Sequence, residues 1–515
     1  MSERAGVDPI TLSVLEGGLR AICDEMGAVL IRAAHSPNIK ERHDCSTALF
    51  VPGGELVMQA EHIPVHLGSM PDAVAAVIEI AEDPQPGDLW ILNDPFEGGT
   101  HLPDITLVSP MLHEGELVAW AASRAHHADV GGPTPGGMPA GSRHLDEEGV
   151  VISPRRVGDD EIRDLVERMR NPSQRLADLR AQRAANLLAG ERIAELIERQ
   201  GIEPLRDGMV AVLDHAERRG RAAIAALPDG SYSAEDALED ASGAPVPLRV
   251  EVTIAGEAMR IDFTGSAAQV GGNLNCPLSV TKAAALFAVR VLTDPDAPPC
   301  AGGHRPIDVV AERGSVLDAN PGAAVAAGNV ETSSRIADLV LAALADVADG
   351  PAQGQGTMNN LTLASEDDEG GFTYYETLGG GQGACAEAPG PSAVHVAMSN
   401  TLNTPVEALE GELPLRVRSL GVRAGSGGAG RNRGGDGIVR EIEALVPMSF
   451  SLITERRDRG PRGRDGGEDG APGLNLLNGE TLPAKVEGHL EPGDVLRIET
   501  PGGGGFGRGD AGEPA

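Results

Sequence analysis

The sequence predicts a mixed α/β (α+β) fold, a multi-layer body of mixed sheets with a helical insertion around residues 158–226. Apolar side chains recur every three or four residues in some segments, which is typical of helices, and alternate with polar ones in others, which is typical of strands. The two kinds of segment do not follow the regular spacing of βαβ units. Of the 515 residues, 41% are hydrophobic, which is enough for a large core and excludes global disorder.

The N-terminal part is predicted to begin with a helix at 8–35, where Leu15 and Leu19 follow helical spacing. Four strands follow, the last two forming a hairpin, at 46–51, 87–92, 105–112 and 116–123. Long polar loops that carry glycine follow the second and the fourth of these strands, at 93–101 and 124–141.

Segment 158–226 is rich in Arg, Glu, Ala and Leu and predicts three or four helices, as an insertion or arm. Beyond residue 230 the pattern predicts strands and two buried helices; these elements are at 248–254, 258–263, 273–292, 334–345, 439–443, 448–454 and 494–499. We therefore divide the chain into an N-terminal part with a candidate metal site, a helical insertion, a C-terminal mixed α/β part and a frayed tail, at 1–157, 158–230, 231–507 and 508–515.

The formal net charge is −35, and a surface this acidic repels phosphate backbones, which excludes nucleic acid as a partner. The basic residues include only three lysines, and such a composition is typical of halophilic proteins, whose carboxylates retain water and cations. The alternative is codon bias with acidic drift. No apolar run reaches the roughly 18 residues of a membrane span, and no secretory leader is evident. Five scattered cysteines indicate free thiols and a cytoplasmic location.

Histidine and aspartate residues occur close together in sequence in two predicted loops. His101 and Asp104 form His-x-x-Asp within NDPFEGGTHLPD, where Pro103 and the glycines favour a tight turn over a helix. His126, His127 and Asp129 follow the next hairpin strand in SRAHHADVGG. Imidazole nitrogens and carboxylate oxygens suit Zn²⁺, Mn²⁺ or Fe²⁺, so the two loops predict a metal-binding cup. Alternatively, these side chains hydrogen-bond the loops together.

Further candidates lie upstream. Glu41 or Asp44, in ERHDCS, could add a carboxylate ligand or a general base. Cys45 shares a face with His43 and could act as a thiolate nucleophile, but such cysteines are more often small buried residues. His62 and His66 are four residues apart, with a proline between them, and either line the same cleft or simply pack.

Glycine clusters at 271–273, 328–335, 379–383 and 501–505 could hold anions through backbone N–H groups, although tight turns are the simpler interpretation. None is a GxxxxGK[ST] phosphate loop or a dinucleotide fingerprint, and no Gly-x-Ser-x-Gly elbow stands out. The sequence therefore predicts a metal site and no nucleotide site.

Nine segments, in order, resemble the hydantoinase B family. They are ERHDCSTALF, HLGSMP, NDPFEGGTHLPD, SRAHHADVGG, FTGSAAQVGGNLNCPL, GNVETSSRIAD, NTLNTPVE, NRGGDGIVREIE and TPGGGGFG. The family includes the B-type component of N-methylhydantoinases, the corresponding half of ATP-dependent 5-oxoprolinase, and the large subunits of acetone and acetophenone carboxylases. The resemblance runs from about residue 8 to 507.

The resemblance implies a hetero-oligomer in which a hydantoinase A-type ATPase subunit uses ATP to phosphorylate a small carbonyl or cyclic amide substrate. The B-type chain then completes the reaction with a divalent metal (Mn, Zn or Fe). By motif, the metal ligands of the carboxylase members fall on His101, Asp104, His126 and Glu41, with Asp44 a rival for the last position.

The function that follows is ATP-dependent ring opening of a hydantoin or 5-oxoproline. Glu41, Asp44 or His127 could transfer the proton, and Asp129 is a further catalytic candidate. Arg42 or Arg124 could pair with the substrate carboxylate or phosphate, because a guanidinium binds either with two hydrogen bonds. The alternatives are the large subunit of a ketone carboxylase and a non-catalytic scaffold for the ATPase.

Overall fold

The computed structural model describes residues 8–66, 68–365 and 371–509, and within these ranges it contains four β-sheets and ten α-helices. The fold is therefore mixed α/β, as predicted. Of the predicted frayed tail, residues 510–515 lie outside the described ranges. No helix in the described part of the chain is both long and apolar enough to cross a bilayer.

The first sheet is antiparallel and has the strand order β2-β1-β5-β4-β3-β6. Its strands are β1 (Cys45–Phe50), β2 (Leu56–Glu61), β3 (Trp90–Leu92), β4 (Asp104–His113), β5 (Glu116–His126) and β6 (Arg155–Arg156). The β4–β5 hairpin turns at Glu114 and Gly115, which both have positive φ, as a tight two-residue hairpin turn requires. The hairpin register places Asp104 directly opposite His126.

Helices cover both faces of this sheet. They are α1 (Pro9–Ala33), α2 (Pro37–Lys40), α3 (Met70–Ile80), α4 (Asp159–Val166), α5 (Pro172–Gln200) and α6 (Ile202–Ala225). Apolar side chains of α1, α5 and α6 share one core with β1, β2 and β5, whereas α3 packs on the opposite face against Trp90 and Trp120. The helices predicted at 158–226 thus lie against the sheet and do not project as an arm.

The second sheet, of order β10-β9-β8-β7, packs against two buried helices. The elements of this layer are β7 (Gly230–Glu239), β8 (Pro245–Ala255), β9 (Ala258–Asp262), α7 (Leu278–Thr293), α8 (Ala301–His304), β10 (Ile307–Val310) and α9 (Ser333–Leu344). A π-helical turn, Gly328–Thr332, leads into α9. Gly328 lies so close to the carbonyl of Asn275 that a Cβ at position 328 would overlap it.

Two further antiparallel sheets, of order β12-β11-β15-β18 and β13-β14-β19-β16-β17, share one apolar core. Their elements are β11 (Asn360–Ser365), β12 (Thr373–Glu376), α10 (Val406–Glu412), β13 (Leu415–Arg423), β14 (Gly437–Ala444), β15 (Met448–Ile453), β16 (Leu474–Leu477), β17 (Glu480–Leu482), β18 (Lys485–Leu490) and β19 (Val495–Glu499). The strands predicted at 439–443, 448–454 and 494–499 are confirmed, whereas α3, β7, β11, β12, β13 and β16–β18 were not predicted.

Beside these sheets, irregular glycine-rich segments cross one another and form what we call the glycine mesh, comprising residues 379–383, 426–437, 460–470 and 501–507. Hydrogen bonds run between the backbones of different segments: Gly503 N donates to Gly435 O, Gly428 N to Gly503 O, and Gly435 N to Gln382 O, at 2.8–2.9 Å. At Gly503 a Cβ would overlap the Gln382 carbonyl. Glycine is needed in the mesh because backbones touch where side chains would otherwise lie.

We expect Gly503→Ala to destabilise the protein by about 3 kcal/mol, because rigid backbone surrounds the added methyl group. Gly411→Ala is the matched control: it lies in α10, and a Cβ there would meet no atom within 4 Å. Thermal unfolding should show a lower midpoint for Gly503→Ala and an unchanged or slightly higher one for Gly411→Ala. Equal midpoints for the two variants would contradict this account of the mesh.

Candidate metal centre

Asp104 is the centre of the candidate site. It is the first residue of β4, and His126, the last residue of β5, lies opposite it. The Asp104 Oδ2 atom is 3.1 Å from His101 Nδ1, and Oδ1 is 3.6 Å from His126 Nδ1. Each of the three residues offers one ligand atom, and these atoms lie within 4.8 Å of one another. The structure thus brings together His101, Asp104 and His126 from the two predicted loops.

A third imidazole contacts the same carboxylate. His66 ends a short 3₁₀ helix, Pro64–His66, and its Nε2 atom lies 3.4 Å from Asp104 Oδ2. Its Nδ1 atom is 2.9 Å from Ser46 Oγ. Of the two interpretations offered for this histidine, the structure supports the one that places it in the cleft.

The Asp104 carboxyl is about 1% exposed, and its environment compensates for burial. Burial alone would raise the pKa of Asp104, but the neighbouring His101 and His66 imidazoles outweigh burial and hold the pKa well below its usual value. Thr100 Oγ1 also donates a hydrogen bond of 2.7 Å to Oδ2. The aspartate is therefore an anion in the folded protein.

Three imidazole nitrogens around Asp104 form no hydrogen bond of acceptable geometry in the described structure: His66 Nε2 and His101 Nδ1, which lie beside the carboxylate, and His126 Nε2. Buried polar atoms without partners are costly, so a cluster of them indicates a missing ligand. Neutral imidazole and carboxylate are donors that Zn²⁺, Mn²⁺ and Fe²⁺ accept. The residues present therefore fit a divalent ion.

Residues far along the chain hold these imidazoles in place. Tyr375 stacks on His126, with ring centroids 4.6 Å apart and an interplanar angle of 8°. The Tyr375 hydroxyl donates to Asn360 Oδ1 at 2.7 Å. Asn329 Nδ2, in the π-helical turn, is 3.4 Å from His101 Nε2. The segment 328–335, a candidate anion loop by sequence, instead supplies a neighbour to this site.

A small cavity adjoins the cluster and has about 20 Å³ of free space, which is enough for a water molecule or an ion. It is too small for a five-membered ring. The lining residues are Asp44, Ile63, Val65, His66, Asp104, His126, Asn329, Val330, Met358, Tyr375, Thr377, Ser399 and Thr401.

Of the upstream acids, Asp44 lines this cavity and Glu41 does not. Burial raises the pKa of Asp44 to about 6, although His126 acts in the opposite direction. Glu41 is partly buried, and the structure does not bring it into the cluster of His101, Asp104 and His126. Cys45 is fully buried in β1, and burial raises the pKa of its thiol, so a thiolate is disfavoured.

His127 and Asp129 make contacts away from the cavity. His127 Nε2 is 3.0 Å from Gln182 Oε1 on α5, and burial lowers the pKa of this imidazole to about 4. The Asp129 carboxylate accepts hydrogen bonds from the backbone N–H groups of Gly131 and Gly136. These contacts hold the 127–136 loop in place and do not bring either residue into the cluster.

Both predicted arginines are buried. Arg124 donates through all three of its nitrogens, to Thr106 Oγ1, Ser69 Oγ and the Gly98 carbonyl. Arg42 donates from Nη2 to two residues that line the cavity, Thr377 and Thr401. Arg42 therefore lies directly behind the cavity wall.

Another buried acid, Glu148, holds the segment that precedes the π-helical turn. Its carboxylate accepts hydrogen bonds from Val325 N, Ala326 N and Ser142 Oγ at 2.8–3.1 Å. Burial raises the pKa of Glu148 to about 7, and the hydrogen bonds only partly oppose this.

A family model described as hydantoinase B/oxoprolinase matches residues 8–509. The chain belongs to this family. The hydantoinase B relatives include the 5-oxoprolinase of Dictyostelium discoideum, which is 38% identical over 98% of this chain. A protein of a Pseudomonas species, described as the B-type component of a candidate D-/L-hydantoinase, is 30% identical over 97% of the chain and 90% of its own length. The chain spans only 41% of the Dictyostelium 5-oxoprolinase.

Two solved structures show the same fold. The ATP-dependent caprolactamase from Pseudomonas jessenii matches this hydantoinase B chain with a TM-score of 0.90 and 26% identity, covering 98% of this chain and 93% of that one. A nucleotide-free acetone carboxylase matches with a TM-score of 0.86 over 97% of this chain and 76% of that one. The latter is 19% identical and so supports the fold alone.

We expect Glu148 to make the protein less stable as the pH rises. The folded pKa of about 7 exceeds the ordinary 4.5, so the folded state binds the proton more tightly. This stabilising contribution is complete below pH 4.5 and is lost as the pH rises through 7, a change of about 3 kcal/mol. Urea unfolding of the parent and of Glu148→Gln at pH 5 and pH 8 measures this change. From pH 5 to pH 8 the free energy of unfolding of the parent should fall, by about that amount, relative to that of Glu148→Gln.

The half-buried neighbour Glu147 provides the control, because hydrogen bonds from the Arg143 and His144 backbones lower its pKa. Glu147→Gln should not gain stability relative to the parent at pH 8. A Glu148→Gln variant with the parent's pH dependence would show that this carboxyl titrates normally.

Proposed function

We propose that the chain is the B-type component of an ATP-dependent cyclic amide hydrolase that opens a hydantoin or 5-oxoproline ring. The observation that carries this proposal is the buried cluster of His101, Asp104 and His126, whose ligand atoms lie within 4.8 Å of one another in a hydantoinase B/oxoprolinase fold. The proposed cofactor at this cluster is a divalent metal, Mn, Zn or Fe.

The step that consumes ATP is assigned to a hydantoinase A-type ATPase subunit. Resonance stabilises a cyclic amide against attack by water, and phosphorylation of its oxygen creates a better leaving group. The sequence has no phosphate-binding loop of the GxxxxGK[ST] kind, so this step is assigned to a partner in a hetero-oligomer. Support comes from one relative, whose description makes it one component of a larger hydantoinase, and from the ATP dependence named for the caprolactamase.

A divalent ion at the cluster would supply Lewis-acid activation of the attacking water. The chain's own residues orient the ligands: Thr100 holds the Asp104 carboxylate by a hydrogen bond, and Tyr375 stacks on His126. Among the proton acceptors proposed from sequence, Asp44 is favoured, because its side chain lines the cavity whereas Glu41 and His127 do not.

Two alternatives compete with ring opening. A ketone carboxylase of the acetone type shares the fold, but that match is 19% identical. Relatives named 5-oxoprolinase are 36–38% identical, and the caprolactamase, a lactam hydrolase, is 26% identical. The comparisons therefore favour cyclic amide hydrolysis. A purely structural scaffold is disfavoured because three buried imidazole nitrogens of the cluster form no hydrogen bond, which is costly without a ligand.

We expect His101→Ala and Asp104→Ala to reduce bound metal, and to abolish ring opening while the chain still assembles with its ATPase partner. Elemental analysis of the purified chain measures the first effect, and the ring-opened product per ATP consumed measures the second. His113→Ala is the matched control, because His113 lies at the far end of the same strand, β4.

For the parent protein we expect close to one Mn, Zn or Fe per chain, and the same for His113→Ala. A parent chain without metal after gentle purification, with full activity in Asp104→Ala, would support a scaffold role instead.

A further inference from the structure

Arg42 is a buried cation that forms no ion pair within 4.0 Å in the described part of the chain. Its side chain is 0% exposed, and Asp44, the nearby acid whose pKa its charge lowers, lies beyond that distance. Its Nε and Nη1 atoms have no hydrogen-bond partner in the described structure. Three other buried arginines are paired, Arg335 with Glu455, Arg440 with Glu376, and Arg456 with Asp338. Arg124 is buried without an ion pair as well, but it donates through all three of its nitrogens.

An isolated buried charge is expensive, because the interior does not replace the water that solvated it. A structural arginine at this position would be expected to have an acidic partner, and two free guanidinium nitrogens remain available for one. The chemistry of the site therefore points to an anion that is absent from the folded chain and arrives from outside.

Two threonine hydroxyl groups lie between the Arg42 guanidinium and the cavity. Arg42 Nη2 donates to Thr377 Oγ1 and Thr401 Oγ1, both at 2.9 Å, and these hydroxyls lie 2.6 Å apart. Both threonines line the cavity beside Asp44 and His126. A hydroxyl that accepts from a guanidinium is polarised and becomes a better donor to an anion on its other side.

The neighbouring His395 does not compete for that anion. Burial, reinforced by the Arg42 charge, lowers the pKa of His395 to about 3, so the imidazole is neutral. Its Nδ1 atom is 2.6 Å from Ser399 Oγ, and its Nε2 atom is 3.3 Å from Thr401 Oγ1. Arg42 is therefore the positive charge behind this wall of the cavity.

We propose that Arg42, acting through Thr377 and Thr401, is the specificity-determining group that selects cyclic amides carrying a carboxylate on the ring over neutral lactams. This inference rests on the proposed function and assigns a residue to substrate choice. A carboxylate is favoured over the phosphate of the activated substrate because Asp44 and Asp104 also line the cavity and would repel a dianion more strongly.

The test compares two substrates of the same ring size, 5-oxoproline and 2-pyrrolidinone, which lacks the carboxylate. ATP-dependent ring opening is measured with the chain bound to its ATPase partner, and the ratio of the two kcat/KM values is the readout. We expect a ratio of at least about 100 for the parent and a fall of at least about 30-fold in Arg42→Met. Arg42→Lys, which keeps the charge, should retain part of the ratio.

Arg175→Met is the matched control. Arg175 is almost equally buried and has two unpartnered nitrogens, but it lies on α5 and pairs with Asp178, so the ratio should not change.

Arg42→Met removes an uncompensated buried charge, so its thermal midpoint should be unchanged or higher. If the variant nevertheless does not fold, the inference is tested by two other kcat/KM ratios. The parent ratio should be high, and the ratio of Thr401→Val should be lower than that of the parent.

A parent ratio near one would overturn the inference and leave the proposed function intact. Equal losses on both substrates in Arg42→Met would also overturn it, because they would show that the guanidinium serves the phosphate common to both. Because the proposed function also covers hydantoins, hydantoin is assayed beside the two substrates. Ring opening of hydantoin alone would overturn this inference and leave the proposed function intact, whereas hydrolysis of none of the three by a complex that still consumes ATP would refute both.

Discussion

The site depends on a carboxylate that is buried among imidazoles at one end of a hairpin. Asp104 can remain ionised there only because His101, His66 and the Thr100 hydroxyl surround it. That arrangement requires the β4–β5 register, since a shift by one residue would turn His126 to the other face of the sheet. The two-residue turn at Gly115 sets the pairing next to it, and the register shift between Met111 and Leu112 moves the pairing by one residue. Both features therefore determine which groups meet at the cluster.

The cluster was predictable to the extent that its members are close in sequence or follow the two hairpin strands. His101 and Asp104 share one turn, and His126 ends the strand paired with the one that Asp104 begins, so pattern and spacing were sufficient. Tyr375 and Asn329 lie more than 200 residues from the cluster along the chain. Such long-range neighbours leave no local pattern, and only the packing of the second and third sheets against the first brings them there.

Whether burial leaves a local pattern in the sequence also explains which other elements were predicted and which were missed. The amphipathic helix α1 was predicted because one of its faces is buried, which imposes a period on the sequence. The hairpin strands are buried along most of their length and were predicted as apolar runs on either side of a turn. Strand β13 is an edge strand that exposes much of its length, so burial imposes less of a pattern on it. The glycine clusters at 379–383 and 501–505 were interpreted as turns because turns are the commonest reason for glycine. Their actual role, contact between backbones, needs partners from distant segments.

The glycine mesh also affects how stability varies with temperature. Apolar cores are stabilised by the release of water from hydrocarbon, a contribution that weakens on cooling and gives unfolding a large positive heat capacity. The mesh buries mainly peptide groups, for example where Gly504 N donates to the Gln353 carbonyl. Exposure of peptide groups lowers the heat capacity of unfolding. This region should therefore oppose cold denaturation, while the aliphatic layers around the hairpin set the resistance to heat.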